Sequence, residues 1–451
     1  MAYVSRGRKP IERASKIVHA EIISNPTVQE YIARCKLPSA ATSSDIARQI
    51  TRLPEEVDPG DLRAVIALDG GFTEVPIQET QPFATIAFYT FGPLLLNLAE
   101  LDEVDAKEFI APEDIARLKK LERYTFVLPL RGIRFADHRS LTDTVRRTIY
   151  DFFIEERGAE RERLIDSLKW FLFREWKQGG EEIPASVAWC PDTECAQENI
   201  EFSSDTDTVL TCPSCGHDVY LTDVFRLHER VYEEQGAGAI TAYVLGVLEQ
   251  MVLVHLIRSI LDIKSSLLRE VMFIKDGPLA FFGLVAPLCR PMRELMTHLL
   301  PNADDAGAPR IRLAGIEKTG AFVEHAETIR NSMPLGSVLV CSNEYIYNHI
   351  VPGDGLTSLY GSNTYYGQKV IFRSSSGEMY VVTAPAPDYS ANPTFEDIPD
   401  LDKLLGIVSK LRCSMYDNAL LPIALVNKLV SLSDVPSQRI LKAFARQAIG
   451  G

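Results

Sequence analysis

Basic residues are in short supply. Against 61 Asp and Glu stand only 47 Lys and Arg, giving a formal charge of −14 and a pI near 5.2. That balance argues against a general coat for nucleic acid or anionic membrane and leaves room for a local basic groove. The N-terminal stretch MAYVSRGRKPIERASK lacks the apolar core of a signal peptide, so a cytoplasmic protein is expected. The longest apolar run, Ile240 to Leu261, contains Glu249, His255 and Arg258 and reads as a buried helix rather than a membrane span. Walker A, GxGxxG, GxSxG and HExxH patterns are absent, leaving nucleotide hydrolysis and zinc proteolysis without support. The eight histidines follow no ligand spacing. Repeats, low-complexity tracts and long linkers are also missing.

What remains is an ordinary globular composition, 46% hydrophobic, over 451 residues. A chain this long can bury a large core without disulfides. Residues 1–60 read as a helical lead-in closed by LPEEVDPGD. RAVIALDGG reads as a buried strand ending in a tight turn, and PFATIAFYTFGPLLLNL and YTFVLPLRGIRF as further strands, the last two separated by an acidic helical stretch from Asp102 to Arg123. Leu141 to Lys177 is helical. A long helix is expected from about Val224 to Leu261, with a break at Gly236 to Gly238. REVMFIKDGPLAFFG and RIRLAGIEKTG are strands, GQKVIFRSSSGEMYVVTAP is a hairpin, and the last fifty residues are helical. Strands lie on both sides of a cysteine-bearing island, so one mixed α/β sheet flanked by helices and interrupted by an insertion is the simplest architecture. The expected units are residues 61–185, an insertion at 186–223, and 224–451.

The island holds Cys190-x4-Cys195 and Cys212-x2-Cys215. Two short loops, each giving two thiolates, supply a closed tetrahedral zinc site. Four thiolates leave no open position, so this zinc ribbon is structural. Cys35, Cys289, Cys341 and Cys413 stand alone, as expected of thiols in a reducing compartment.

Asp69 in VIALDGG and Asp276 in MFIKDGP each end an apolar strand and precede glycine. A carboxylate at a strand mouth is held rigidly, and glycine beside it permits close approach; a plain turn is the competing reading. Glu249 lies among apolar residues, where a carboxylate needs a metal or a cation, with Arg258, Arg269 and Lys275 as the available cations. Asp69, Glu249 and Asp276 together match the oxygen-ligand set for Mn²⁺ or Mg²⁺ in a phosphodiesterase site. Lys318, after the strand in LAGIEKTG, could neutralise a pentavalent phosphate, or be a surface lysine. Asn427, in PIALVNKLVSL, could be a weak metal or phosphate contact, or a core amide.

VIALDGG, YEEQGAGAITAYVLGVLEQ, FIKDGPLAFFG and GIEKTG, in that order, resemble the NurA nucleases from about Arg63 to the final helix. The resemblance implies a ribonuclease-H-like fold, Mn²⁺-dependent 5′ to 3′ degradation of DNA and single-strand endonuclease activity. It also implies a ring-shaped homodimer and a partner, the HerA-type hexameric DNA-translocating ATPase, in end processing or antiphage defence. It assigns Asp69, Glu249 and Asp276 to the family's carboxylates and Lys318 to its lysine strand. Three departures stand out: Asp69-Gly70-Gly71 replaces Asp-Gly-Ser, Asn427 replaces a histidine, and the glutamate-to-aspartate interval is long, which makes Glu234 and Glu270 substitutes for Glu249. The zinc ribbon is an addition to the family pattern. A basic lumen inside the ring would be lined by Arg146, Arg147, Lys369 and Arg373. Two non-enzymatic alternatives are a catalytically inactive scaffold that caps the ATPase ring, and a zinc-ribbon DNA-binding protein.

Overall fold

The computed structural model describes residues 17–450, except 36, 55–56, 79, 82, 100–122, 159–160, 178–182, 301–308, 356–357, 414–419 and 433–436. The expected acidic helix from Asp102 lies outside the described residues. The strands are β1 (Ile50–Arg52), β2 (Ala64–Gln78), β3 (Ala84–Asn97), β4 (Tyr124–Arg131), β5 (Ala185–Trp189), β6 (Glu198–Phe202), β7 (Val209–Thr211), β8 (Asp218–Tyr220), β9 (Val271–Asp276), β10 (Arg312–Glu317), β11 (Ser337–Val340), β12 (Gln368–Arg373) and β13 (Met379–Ala384). The α-helices are α1 (Ile17–Ser24), α2 (Pro26–Arg34), α3 (Ser43–Gln49), α4 (Leu141–Ile154), α5 (Leu164–Leu172), α6 (Thr241–Lys264), α7 (Cys289–His298), α8 (Ala321–Ile329), α9 (Asn343–His349), α10 (Leu401–Lys410), α11 (Leu421–Val430) and α12 (Ser437–Gly450).

Nine strands form one mixed sheet in the order β1-β11-β12-β13-β10-β9-β2-β3-β4. β4, β3 and β2 are antiparallel neighbours, whereas β9 and β10 run parallel to β2. Chain segments before and after the cysteine island therefore share a sheet, as the strand pattern predicts. Two differences are informative. Asp69-Gly70-Gly71 is not a turn: β2 continues to Gln78 because β3 is equally long and pairs with it, Gly70 opposite Phe91 and Gly71 opposite Thr90. The helix expected from Val224 begins only at Thr241; short 3-10 turns occupy the preceding segment.

Alternation along each strand divides the core between the two faces. Val65, Ala67, Met272, Ile274, Ala314 and Ile316 pack beneath α10 and α11. Ile66, Leu68, Phe273 and Leu313 pack against α6 and, beyond it, α4 and α5. α6 is apolar nearly all round and long enough to cross a membrane, yet 67% of its most apolar window is buried inside the fold. β5–β6 and β7–β8 are two small hairpins that carry the cysteines.

Candidate active site and candidate metal centre

The parallel register sets Leu68 beside Lys275 and Ile316 beside Asp276. Asp69, one residue past Leu68, is thus level with Asp276, and Lys318 follows the end of β10. All three lie where β9 and β10 end, the customary place for a ligand in an open α/β sheet. Strand alternation puts Asp69, Asp276 and Lys318 on the face covered by α10 and α11. Gly277 turns the chain sharply after Asp276 at φ +81°, a conformation that favours glycine, and its N–H donates to Ile316 O at 2.8 Å.

Asp69 is 4% exposed. Its Oδ1 accepts a 2.8 Å bond from Gly70 N, whereas the buried Oδ2 has no hydrogen-bond partner among the described residues. Burial, followed by the charges of Asp276 and Glu249, pushes the Asp69 carboxyl up to about 7; Lys318 opposes the shift. Lys318 Nζ donates to Asp276 Oδ2 at 2.8 Å. An orphaned buried oxygen amid like charges is a site that a cation would relieve.

Glu249 approaches from the opposite face, on α6. It reaches the sheet because Gly70 has no side chain: a Cβ there would lie 3.1 Å from Glu249 Oε1 and 2.7 Å from both Leu245 Cδ1 and Phe91 Cβ. The Glu249 carboxylate pairs with Lys275 Nζ at 3.0 Å, and the same ammonium donates to Asp276 O at 2.7 Å. Burial raises the Glu249 pKa, and Lys275 counters it. Glu249 is therefore the ion-paired core glutamate of the competing reading, with Lys275 as its cation. Among the described residues, the three acids do not bring ligand atoms within 4.8 Å of one another as the cysteines do. Neither substitute replaces Glu249: Glu270 precedes β9 at the other end of the strand and pairs with Arg63, and Glu234 is exposed. Asn427 is exposed on α11, whose last residue, Val430, has its carbonyl 3.5 Å from where a Gly71 Cβ would sit. No hydrogen bond joins Asn427 to the carboxylates among the described residues.

The cations expected to line a DNA path are largely committed elsewhere. Arg146 is 3% exposed and grips both oxygens of Asp223 at 3.0 and 2.7 Å, with further bonds to Asp143, His217 and Asp218 O. It fastens the β7–β8 hairpin and the turn after it to α4 and has no donor left for a phosphate. Lys369 is buried, bonded to Glu317 and stacked over Phe322 and Tyr365. Arg373 donates to the carbonyls of Arg330 and Met333. Arg147 alone keeps a half-open side chain, paired with Asp151 at 2.7 Å.

Cys190, Cys195, Cys212 and Cys215 bring their sulfurs within 4.8 Å of one another. Cys190–Cys215 is 3.6 Å and Cys195–Cys212 is 3.8 Å. Four thiolates about 2.3 Å from a tetrahedral zinc would be spaced about 3.8 Å apart, so the cluster has the dimensions to hold such an ion. All eight cysteines are free thiols. Lys275 is the participant that sequence reasoning named only as one cation among three; its alternation with Asp276 in MFIKD was the available signal. No protein-family model and no curated protein matches the chain.

Proposed function

We propose that this protein is a divalent-metal-dependent deoxyribonuclease with a ribonuclease-H-like sheet and a structural zinc ribbon. The observation that carries the reading is the buried, unpartnered Oδ2 of Asp69, level with Asp276 and beside Lys318 at the strand ends. The order β4-β3-β2-β9-β10, three antiparallel strands followed by two parallel ones, supports the fold assignment. Asp69 and Asp276 would hold Mn²⁺ or Mg²⁺, which when bound supplies an activated water and charge for the leaving oxygen. Lys318, partly exposed, would exchange its bond to Asp276 for one to a non-bridging phosphate oxygen. Glu249 and Lys275 act from beneath as positioning residues, fixing the β9 backbone at Asp276. The four cysteines would hold Zn²⁺ with no open coordination position, a structural rather than catalytic site. A homodimeric ring fed with DNA by a HerA-type ATPase, acting in the cytoplasm in end processing or defence, completes the reading.

The test is degradation of end-labelled linear DNA in Mn²⁺ by the wild type beside Asp69→Ala and Asp276→Ala. Cleavage by the wild type alone supports the nuclease. Silence, also with the ATPase present, would sink it and favour an inactive scaffold that caps the ATPase ring. The neutralisation of Glu249 by Lys275 and the exposed Asn427 are what that second reading has in its favour.

A further inference from the structure

The cysteine-bearing segment, residues 186–223, contains eight acidic residues and no lysine or arginine. Six of the acids, Glu194, Glu198, Glu201, Asp205, Asp207 and Asp218, are exposed, and none makes an ion pair among the described residues. A segment without lysine or arginine offers no side-chain cation to neutralise phosphates, which weighs against the zinc-ribbon DNA-binding alternative. The second feature is Trp189, 51% exposed at the end of β5. In the β5–β6 ladder it stands directly opposite Glu198, so indole and carboxylate share one face. A cationic side chain laid on an indole face is attracted by the ring quadrupole, and a carboxylate alongside adds a charge-assisted hydrogen bond. Arg146 on α4 anchors the neighbouring β7–β8 hairpin through Asp218 O and Asp223.

We propose that the cysteine hairpins form a docking surface for a Lys/Arg-rich protein surface, with Trp189 and Glu198 receiving one cationic side chain and the net negative charge of the segment steering its approach. This does not depend on the nuclease reading. The probe is a fluorescently labelled peptide alternating Arg and Gly, titrated into the full-length, zinc-loaded protein and followed by anisotropy. Binding is expected to weaken about tenfold in Trp189→Ala, which leaves charge unchanged, and at least as much in the triple variant Glu194→Gln, Glu198→Gln, Glu201→Gln. The charge-matched triple Glu324→Gln, Glu344→Gln, Glu396→Gln is expected to bind like the wild type. Equal zinc content across the variants shows that the hairpins remain folded. Three results would overturn the proposal: no binding of the peptide, an unchanged affinity in Trp189→Ala, or equal losses in the two triple variants. A single-stranded oligonucleotide whose affinity falls in Trp189→Ala would replace the protein partner with nucleic acid.

Discussion

The two groups of metal-type ligands are carried in opposite ways. The cysteines hang from two hairpins of three to five residues per strand, yet their sulfurs are gathered within 4.8 Å. The carboxylates belong to a nine-stranded sheet with a core on both faces, yet they are held apart, each answered by a lysine or left with an orphaned oxygen. The hairpins set Val187, Ile200, Phe202 and Val219 into the main core, and an ion held by the four thiols would tie their outer ends together. The sheet, with a core on both faces, keeps one carboxylate oxygen of Asp69 uncompensated.

The largest effect should fall on the cysteines. Replacing Cys190 and Cys212 together by Ser would remove two ligands of the proposed zinc, whose binding would supply on the order of 10 kcal/mol of local folding energy. Metal content should drop to background, and amides of residues 185–220 should exchange rapidly while those of β2 and β9 stay protected. Loss of protection in the sheet as well would break the contrast. Next comes Glu249→Gln, which strands Lys275 in the core and should cost about 3–5 kcal/mol in urea unfolding. Replacing both partners by Met should recover most of that loss; a double variant as unstable as the single one would mean that the pair does more than neutralise itself.

A smaller effect, opposite in sign, is expected at Asp69. Its carboxyl titrates near 7 in the folded protein, above its ordinary 3.8, so the folded state holds a proton that the unfolded chain has released. Wild-type stability therefore falls as pH rises from about 4 to about 7. Asp69→Asn, which mimics the protonated acid, should be more stable at pH 8 by on the order of 2 kcal/mol, and no more stable below pH 4. Mn²⁺ should raise the wild-type Tm and leave that of the Asn variant unmoved. The smallest change belongs to Arg147→Ala. Its exposed pair with Asp151 should contribute less than about 0.5 kcal/mol to Tm-derived stability. A loss of several kcal/mol there would show that α4 is fastened by more than the neighbouring Arg146.

Much of this was legible in the chain. The cysteine spacing, the strands around Asp69, Asp276 and Lys318, and the hairpin tipped by Ser-Ser-Gly all follow from local pattern. Asp-Gly-Gly is turn chemistry in isolation and predicts a shorter β2; only a long antiparallel partner overrides it. β1 and β11, with three and four residues, are too brief for periodicity to register. The fate of the cations was invisible for a different reason. Arg146 and Arg147 are neighbours of identical chemistry, and only the packing of Asp223 against α4 decides that one is sealed in and the other open.

The unbroken course of β2 through Asp69 has an evolutionary consequence. Functional acids carried on loops can be varied by insertion or exchange of the loop. Asp69 has nine further strand residues beyond it, eight of them paired with β3, so its neighbourhood cannot be lengthened or remodelled without dismantling the sheet. At this position, change is confined to single-residue substitutions. Novelty must then accumulate at the periphery, in segments such as the cysteine hairpins.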